Sequence, residues 1–180
     1  MGCLAVLGIA GASAQQVLDF GPHGRATIYL LGDWKATVIK MPDKYELKLA
    51  PKRDGINAEC SIAVTFPEVD RFETKARLKL RVEADAKQFE EMSVEGKAYG
   101  REFVLRAGTG FYCNFTDPRW RAKGEKPPPG EFKVISVGKI KLAPNVLMDV
   151  AIMADSFTEE PYQQLLGAIE GMEFTPGRGR

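Results

Sequence analysis

The sequence predicts an α+β fold, an antiparallel sheet covered by helices, and three observations carry that prediction. Several short segments alternate apolar with polar residues or are rich in β-branched and aromatic ones, the mark of strands. Two further segments repeat apolar residues at helical spacing. The strand segments follow one another closely, which favours antiparallel pairing.

Residues 1–14 carry no charge, and Leu4, Val6, Leu7 and Ile9 make an apolar run that ends in Ala12-Ser13-Ala14. Small residues so placed fit a signal-peptidase site, so residues 1–14 are expected to be a signal peptide and the mature chain to begin at Gln15 or Gln16. The run is too short to span a bilayer, so no transmembrane segment is expected. The basic residue that normally opens a signal peptide is missing, so the true start is expected a few residues upstream. The competing reading is a buried N-terminal strand. Val6 stands where N-myristoylation requires Ser or Thr, and Cys3 precedes the apolar run instead of following it, so neither lipid signal is matched.

A single α+β domain is expected over 15–175, with a disordered tail over 176–180. Residues 24–31 read as a first strand, Gly32-Asp33 as a turn, and residues around 37–39 as the next strand. Tyr45, Leu47 and Leu49 alternate with charged partners. Asp54-Gly55 turns the chain into a strand over 56–66. Residues 70–92 are ambiguous: Ala76, Leu78, Leu80, Val82 and Ala84 alternate, yet the composition is that of a helix. Leu78, Val82, Ala86 and Phe89 share one helical face, and Asp70 with Glu73 suits a capping box. Helix is therefore expected there. Residues 103–105 and 110–115 read as a strand pair, and 132–142 with 146–153 as a hairpin. A last helix from about Glu159 places Tyr162, Leu165, Leu166, Ile169 and Met172 on one stripe, and Phe174 adds an edge contact.

Lys and Arg number 25 against 24 Asp and Glu, a net charge of +1. So balanced a chain has no long-range field for nucleic acid, and none is expected as a partner. With Cys3 removed in the signal peptide, Cys60 and Cys113 remain, and in an oxidising compartment an even pair bonds. A Cys60–Cys113 disulfide is expected; the alternative is two separate buried thiols. His23 is the single histidine, which leaves no imidazole for a Ser-His or Cys-His nucleophile beyond a turn residue. Cys and His do not cluster for a metal, and Gly108-Thr109-Gly110 lacks the third glycine of a dinucleotide fingerprint, so no metal and no cofactor are expected. Glu90, Glu91, Asp155, Glu159 and Glu160 read as solvated helix faces and a helix start. Asn114-Phe115-Thr116 is a glycosylation sequon. The most suggestive segment is a Pro-rich loop carrying Arg119, Trp120, Arg121 and Lys123, residue types that dominate binding hot spots. Either this loop contacts a protein partner, or Trp120 folds back on the sheet edge.

Four features together resemble the PsbP-like proteins, which include bacterial periplasmic proteins of the DcrB type: Gly32-Asp33-Trp34 after the first strand, Ser93-Val94-Glu95-Gly96 after the helix, residues 110–117 leading into the Pro-rich loop, and a closing hairpin, helix and short strand ending in residues 171–174. The resemblance covers most of residues 25–175. It implies a PsbP-like α/β sandwich and a binding or accessory role without catalytic residues. The leading expectation is an exported, periplasmic or secreted, non-catalytic protein that contacts an unidentified protein in the cell envelope. The alternatives are a hydrolase using carboxylates around Asp117 or Asp155, and a small-molecule or lipid carrier using a cleft between helix and sheet.

Overall fold

Side-chain alternation builds two antiparallel sheets in the computed structural model, which describes residues 14–31, 34–70, 72, 74–121 and 126–177. In chain order the elements are β1 (Ala14–Asp19), β2 (Gly24–Leu30), β3 (Trp34–Lys40), β4 (Lys44–Pro51), β5 (Ala58–Thr65), α1 (Lys75–Ala86), β6 (Arg101–Glu102), β7 (Thr109–Thr116), β8 (Val134–Ala143), β9 (Val146–Ala154), α2 (Glu160–Glu170) and β10 (Glu173–Pro176). The large sheet has seven strands in the order β3-β4-β5-β9-β8-β7-β6, and the small one three, β1-β2-β10.

Register assigns the two faces of the large sheet. Cys60 pairs with Leu49 on β4 and Ile152 on β9, Ile152 with Ser136 on β8, and Ser136 with Asn114 on β7. Residues two apart along each strand share that face, which carries Leu47, Leu49, Cys60, Ile62, Val64, Met148 and Ile152, all buried. They join one core with Leu18, Ala26, Ile28 and Leu30 of the small sheet and Tyr162, Leu165 and Ile169 of α2. Trp34 locks this layer: its ring is buried, and its indole N–H donates to Gln164 Oε1 on α2 at 2.8 Å. Phe103 lies over two glycines, for a Cβ on Gly110 or Gly138 would come within 2.9 or 3.0 Å of its ring. The opposite face meets α1, and Leu78, Val82 and Ala86 pack with Phe111, Cys113 and Phe115 into a second, smaller core.

The fold class predicted from sequence is corrected. Of the described residues 44% lie in strands and 21% in helices, and the helices are two short ones, so this is a β-rich fold of two sheets and not a helix-covered α+β sandwich. The physical reason is the cover on the main core. Much of it is the small sheet, whose strand β1 was not foreseen because its residues bury only Leu18. On the other face α1 lies mainly over β7 and β8; over β4 and β5 that face carries Glu46, Lys48, Glu59, Ser61 and Ala63, which need no apolar cover.

Helix is what residues 75–86 adopt, with the expected face inward. The cap differs from expectation: Thr74 is the N-cap, its hydroxyl accepting from the Arg77 N–H at 3.2 Å. Asp70 instead accepts the Phe72 N–H and the ammonium of Lys141. At the chain's ends, Ala14 already pairs with Leu30 and Pro176 with Gly24. The rest of the expected signal peptide, residues 1–13, and residues 178–180 lie outside the described residues.

Candidate functional site

Small residues on a strand face leave space above them. On the α1 side of the large sheet, β5 presents Ser61 and Ala63, paired with Ala151 and Asp149 of β9, and Ala151 pairs in turn with Val137 of β8. Helix α1 stops short of this floor and raises Val82, Asp85 and Ala86, with Phe89 from the 3-10 turn that follows, as one wall. Ile39, Glu46 and Lys48 on β3 and β4 raise the other. Between them lies a groove of about 540 Å³, within the size range of small-molecule sites.

Charged residues interrupt its apolar lining: Glu46 and Lys48 on one wall, paired with Lys44 and Glu59, and a cluster around Lys139 on the floor. The Lys139 ammonium, nearly buried, sits between the carboxylates of Asp85, at 3.2 Å, and Asp149. Asp85 also pairs with Arg81, at 2.9 Å along the helix. Two cations and two anions thus compensate one another, and Lys139 is the least exposed of the four. The groove residues were not singled out from sequence. The signal available was the alternation of large with small side chains in Ala58-Glu59-Cys60-Ser61-Ile62-Ala63-Val64, but only the register shows that the small ones share a floor.

The loop residues chosen from sequence stand elsewhere. Pro118–Trp120 forms a single 3-10 turn capped by Asp117, which accepts the Arg119 N–H. The Arg119 guanidinium binds both oxygens of Asp117, approaches Glu131 at 3.5 Å, and lies 5.9 Å from the Trp120 ring centre. Arg119 beside it holds the Asp117 carboxyl below the usual carboxylate range. Arg121 is exposed, and Lys123 lies outside the described residues. Trp120 is half-buried, and its indole N–H is occluded with no acceptor among the described residues.

The structure shows Cys60 and Cys113 as free thiols, against the expected disulfide. Cys60 shares its rung with Asn114, so Cys113 points to the other face. Three strand spacings also separate them, about 14 Å, where a disulfide tolerates about 7 Å between Cα atoms. Burial pushes the Cys113 thiol up to about 11 and that of Cys60 higher still.

Other polar residues are held in structural bonds. Asp155 accepts from Asn57 Nδ2 at 2.7 Å, and the same amide donates to the Glu131 carbonyl at 2.8 Å. Glu90 accepts the Ala98 N–H. His23 stacks on Phe66 with ring centres 4.3 Å apart. The sequon residue Asn114 faces the main core side, its amide oxygen accepting from Ser136 Oγ at 2.7 Å. Among the described residues no cluster of three or more His, Cys, Asp or Glu side chains is placed to hold a metal, and no helix is long and apolar enough to cross a membrane. No family model, curated protein or solved structure matches the chain.

Proposed function

We propose that this chain is a non-catalytic binding protein and that the groove between α1 and the sheet receives a small apolar ligand. The observation that carries the reading is the groove itself: about 540 Å³ of space over a floor of Ser61, Ala63, Val137 and Ala151, with each of its charged side chains held in an ion pair. Apolar lining with a few placed polar groups is the usual constitution of a ligand site. An acid catalyst would need a carboxyl held protonated, and Asp117 is shifted the other way. Export to the periplasm or medium belongs to the same proposal, supported by the uncharged apolar residues 1–14, and the resemblance to PsbP-like proteins points to the same kind of role.

Binding of Nile red to the full chain tests the reading. The dye should brighten on the wild type. Ala151→Phe, which fills the middle of the floor from a half-buried position, should abolish the signal while the melting temperature stays within a few degrees. Equal dye binding by both proteins would exclude the groove. A second reading, a protein partner on the Trp120 loop, is favoured by the exposed Arg119 and Arg121 beside an indole N–H with no acceptor among the described residues.

A further inference from the structure

We propose that the groove takes an unbranched hydrocarbon chain with an uncharged polar end, and that Phe89 sets the length of chain admitted; this rests on the binding reading above. The floor argues against a peptide. Strands β4, β5, β9 and β8 are interior strands, each paired on both edges. They offer no free main-chain N–H or C=O, so an extended peptide laid there would leave its own backbone groups without partners, a costly arrangement. A hydrocarbon has no such groups to satisfy.

Charge decides the polar end. At the rung where Lys139 faces Asp149, the Arg81, Asp85, Lys139 and Asp149 charges cancel, and on the opposite wall Glu46 is paired with Lys44 and Lys48 with Glu59. A charged head would have to unpair one of them, whereas a hydroxyl or ester hydrogen-bonds at their edge and leaves the pairs intact.

Phe89 enters because the groove has a continuation. Beyond the Val137–Ala151 rung the next rung on the same face is Ile135–Met153, about 7 Å further along the strands. A second hollow, of about 290 Å³, opens there, lined by Met92, Phe115, Phe132, Ile135 and Met153. Phe89 lines both spaces. Its ring leans on Phe115 with centres 5.4 Å apart and is only half-buried. A chain running from the Lys139–Asp149 rung over Val137 and Ala151 therefore meets this ring before it reaches the second hollow.

Displacement of Nile red from the full chain by saturated monoacylglycerols, from octanoyl to stearoyl, tests this. In the wild type, affinity should rise by about fourfold per added methylene and then level off once the first hollow is full. Phe89→Ala should extend the rise, tightening the longest members by about tenfold or more and leaving the octanoyl member within about twofold. Adding Met92→Arg, at a position 66% exposed, places a charge in the second hollow and should cancel the extension. Should Phe89→Ala not fold, Phe89→Trp must bring the plateau to shorter chains. An equal shift for all chain lengths, or an extension that survives Met92→Arg, overturns the role of Phe89. Fatty-acid anions or alkylammonium ions that bind as tightly as monoacylglycerols of equal length overturn the uncharged end. A wild type that takes up no Nile red, or dye uptake indifferent to Ala151→Phe, overturns the groove reading itself.

Discussion

A single hydroxyl, Ser136, holds the polar part of the main core. It is buried, donates to Asn114 Oδ1 at 2.7 Å and meets Tyr162 Oη at 2.7 Å, which joins β7, β8 and α2. Burial pushes the Tyr162 phenol up to about 12, against the effect of the Ser136 bond, so the phenol stays neutral and remains a donor. Ser136→Ala leaves both partners unpaired and should cost about 1–3 kcal/mol in urea unfolding; a change within experimental error would mean the network contributes nothing. The cysteines give a second test at this scale. Both thiols should resist a thiol reagent in the native protein, since burial keeps them protonated, and both should react in denaturant. Finding fewer than two reactive thiols from Cys60 and Cys113 in denaturant would contradict the opposite-face geometry. Trp120 offers a third. Trp120→Phe removes an indole donor that has no acceptor among the described residues and should leave stability within about 0.5 kcal/mol or raise it. Trp120→Ala also loses half-buried ring area and should cost about 2 kcal/mol. If a partner accepts that N–H, Trp120→Phe weakens its capture without lowering the melting temperature.

Among the elements, α1 depends on its first turn. Thr74→Ala should cost about 1 kcal/mol through loss of the cap. The Lys141 ammonium reaches across to Asp70 and to the Phe72 carbonyl, tying the approach to α1 onto β8. That ammonium, with the Phe72 N–H assisting, holds the Asp70 carboxyl below its ordinary value although burial opposes it. The folded form therefore binds this proton less readily than the unfolded chain. The stabilisation is present in full above the ordinary Asp value of about 3.9 and is lost as pH falls through the lower folded value. Lys141→Met should flatten the decline of stability below about pH 5, which urea unfolding at a series of pH values measures; an unchanged slope would remove Asp70 from acid unfolding. Elements with strong local signals were legible from sequence. Alternation marked β4 and β5, and helix-forming composition correctly outweighed the alternation of Ala76, Leu78 and Leu80, because only every third or fourth residue there is buried. Strand β1 was not legible, since it buries one residue and gains its place from pairing with β2. Phe103 was read within a strand, but the strand is Arg101–Glu102, and Phe103 turns into the core where Gly110 and Gly138 make room. The groove was illegible for a related reason: its floor residues are mostly small, and small residues gain meaning only once β5, β9 and β8 are in register.

On the scale of the whole molecule, the two sheets draw distant parts of the chain together. β5 pairs with β9 across a long excursion that contains α1, β6, β7 and β8. The small sheet goes further, for β2 holds β1 on one edge and β10 on the other, so Thr27 pairs with Val17 and with Glu173. Removing everything after Gly171 should therefore expose Ala26 and Phe174's neighbours in the core and abolish the cooperative unfolding transition, which a thermal melt of the truncated chain measures. The same pairing sets the order of events as the chain emerges, amino terminus first, from a ribosome or a translocation channel. Strand β2 appears early with only one of its two neighbours and must wait until residues 173–176 have followed before β10 arrives. Pairings of such sequence separation form slowly, because a long loop must close before any contact rewards it.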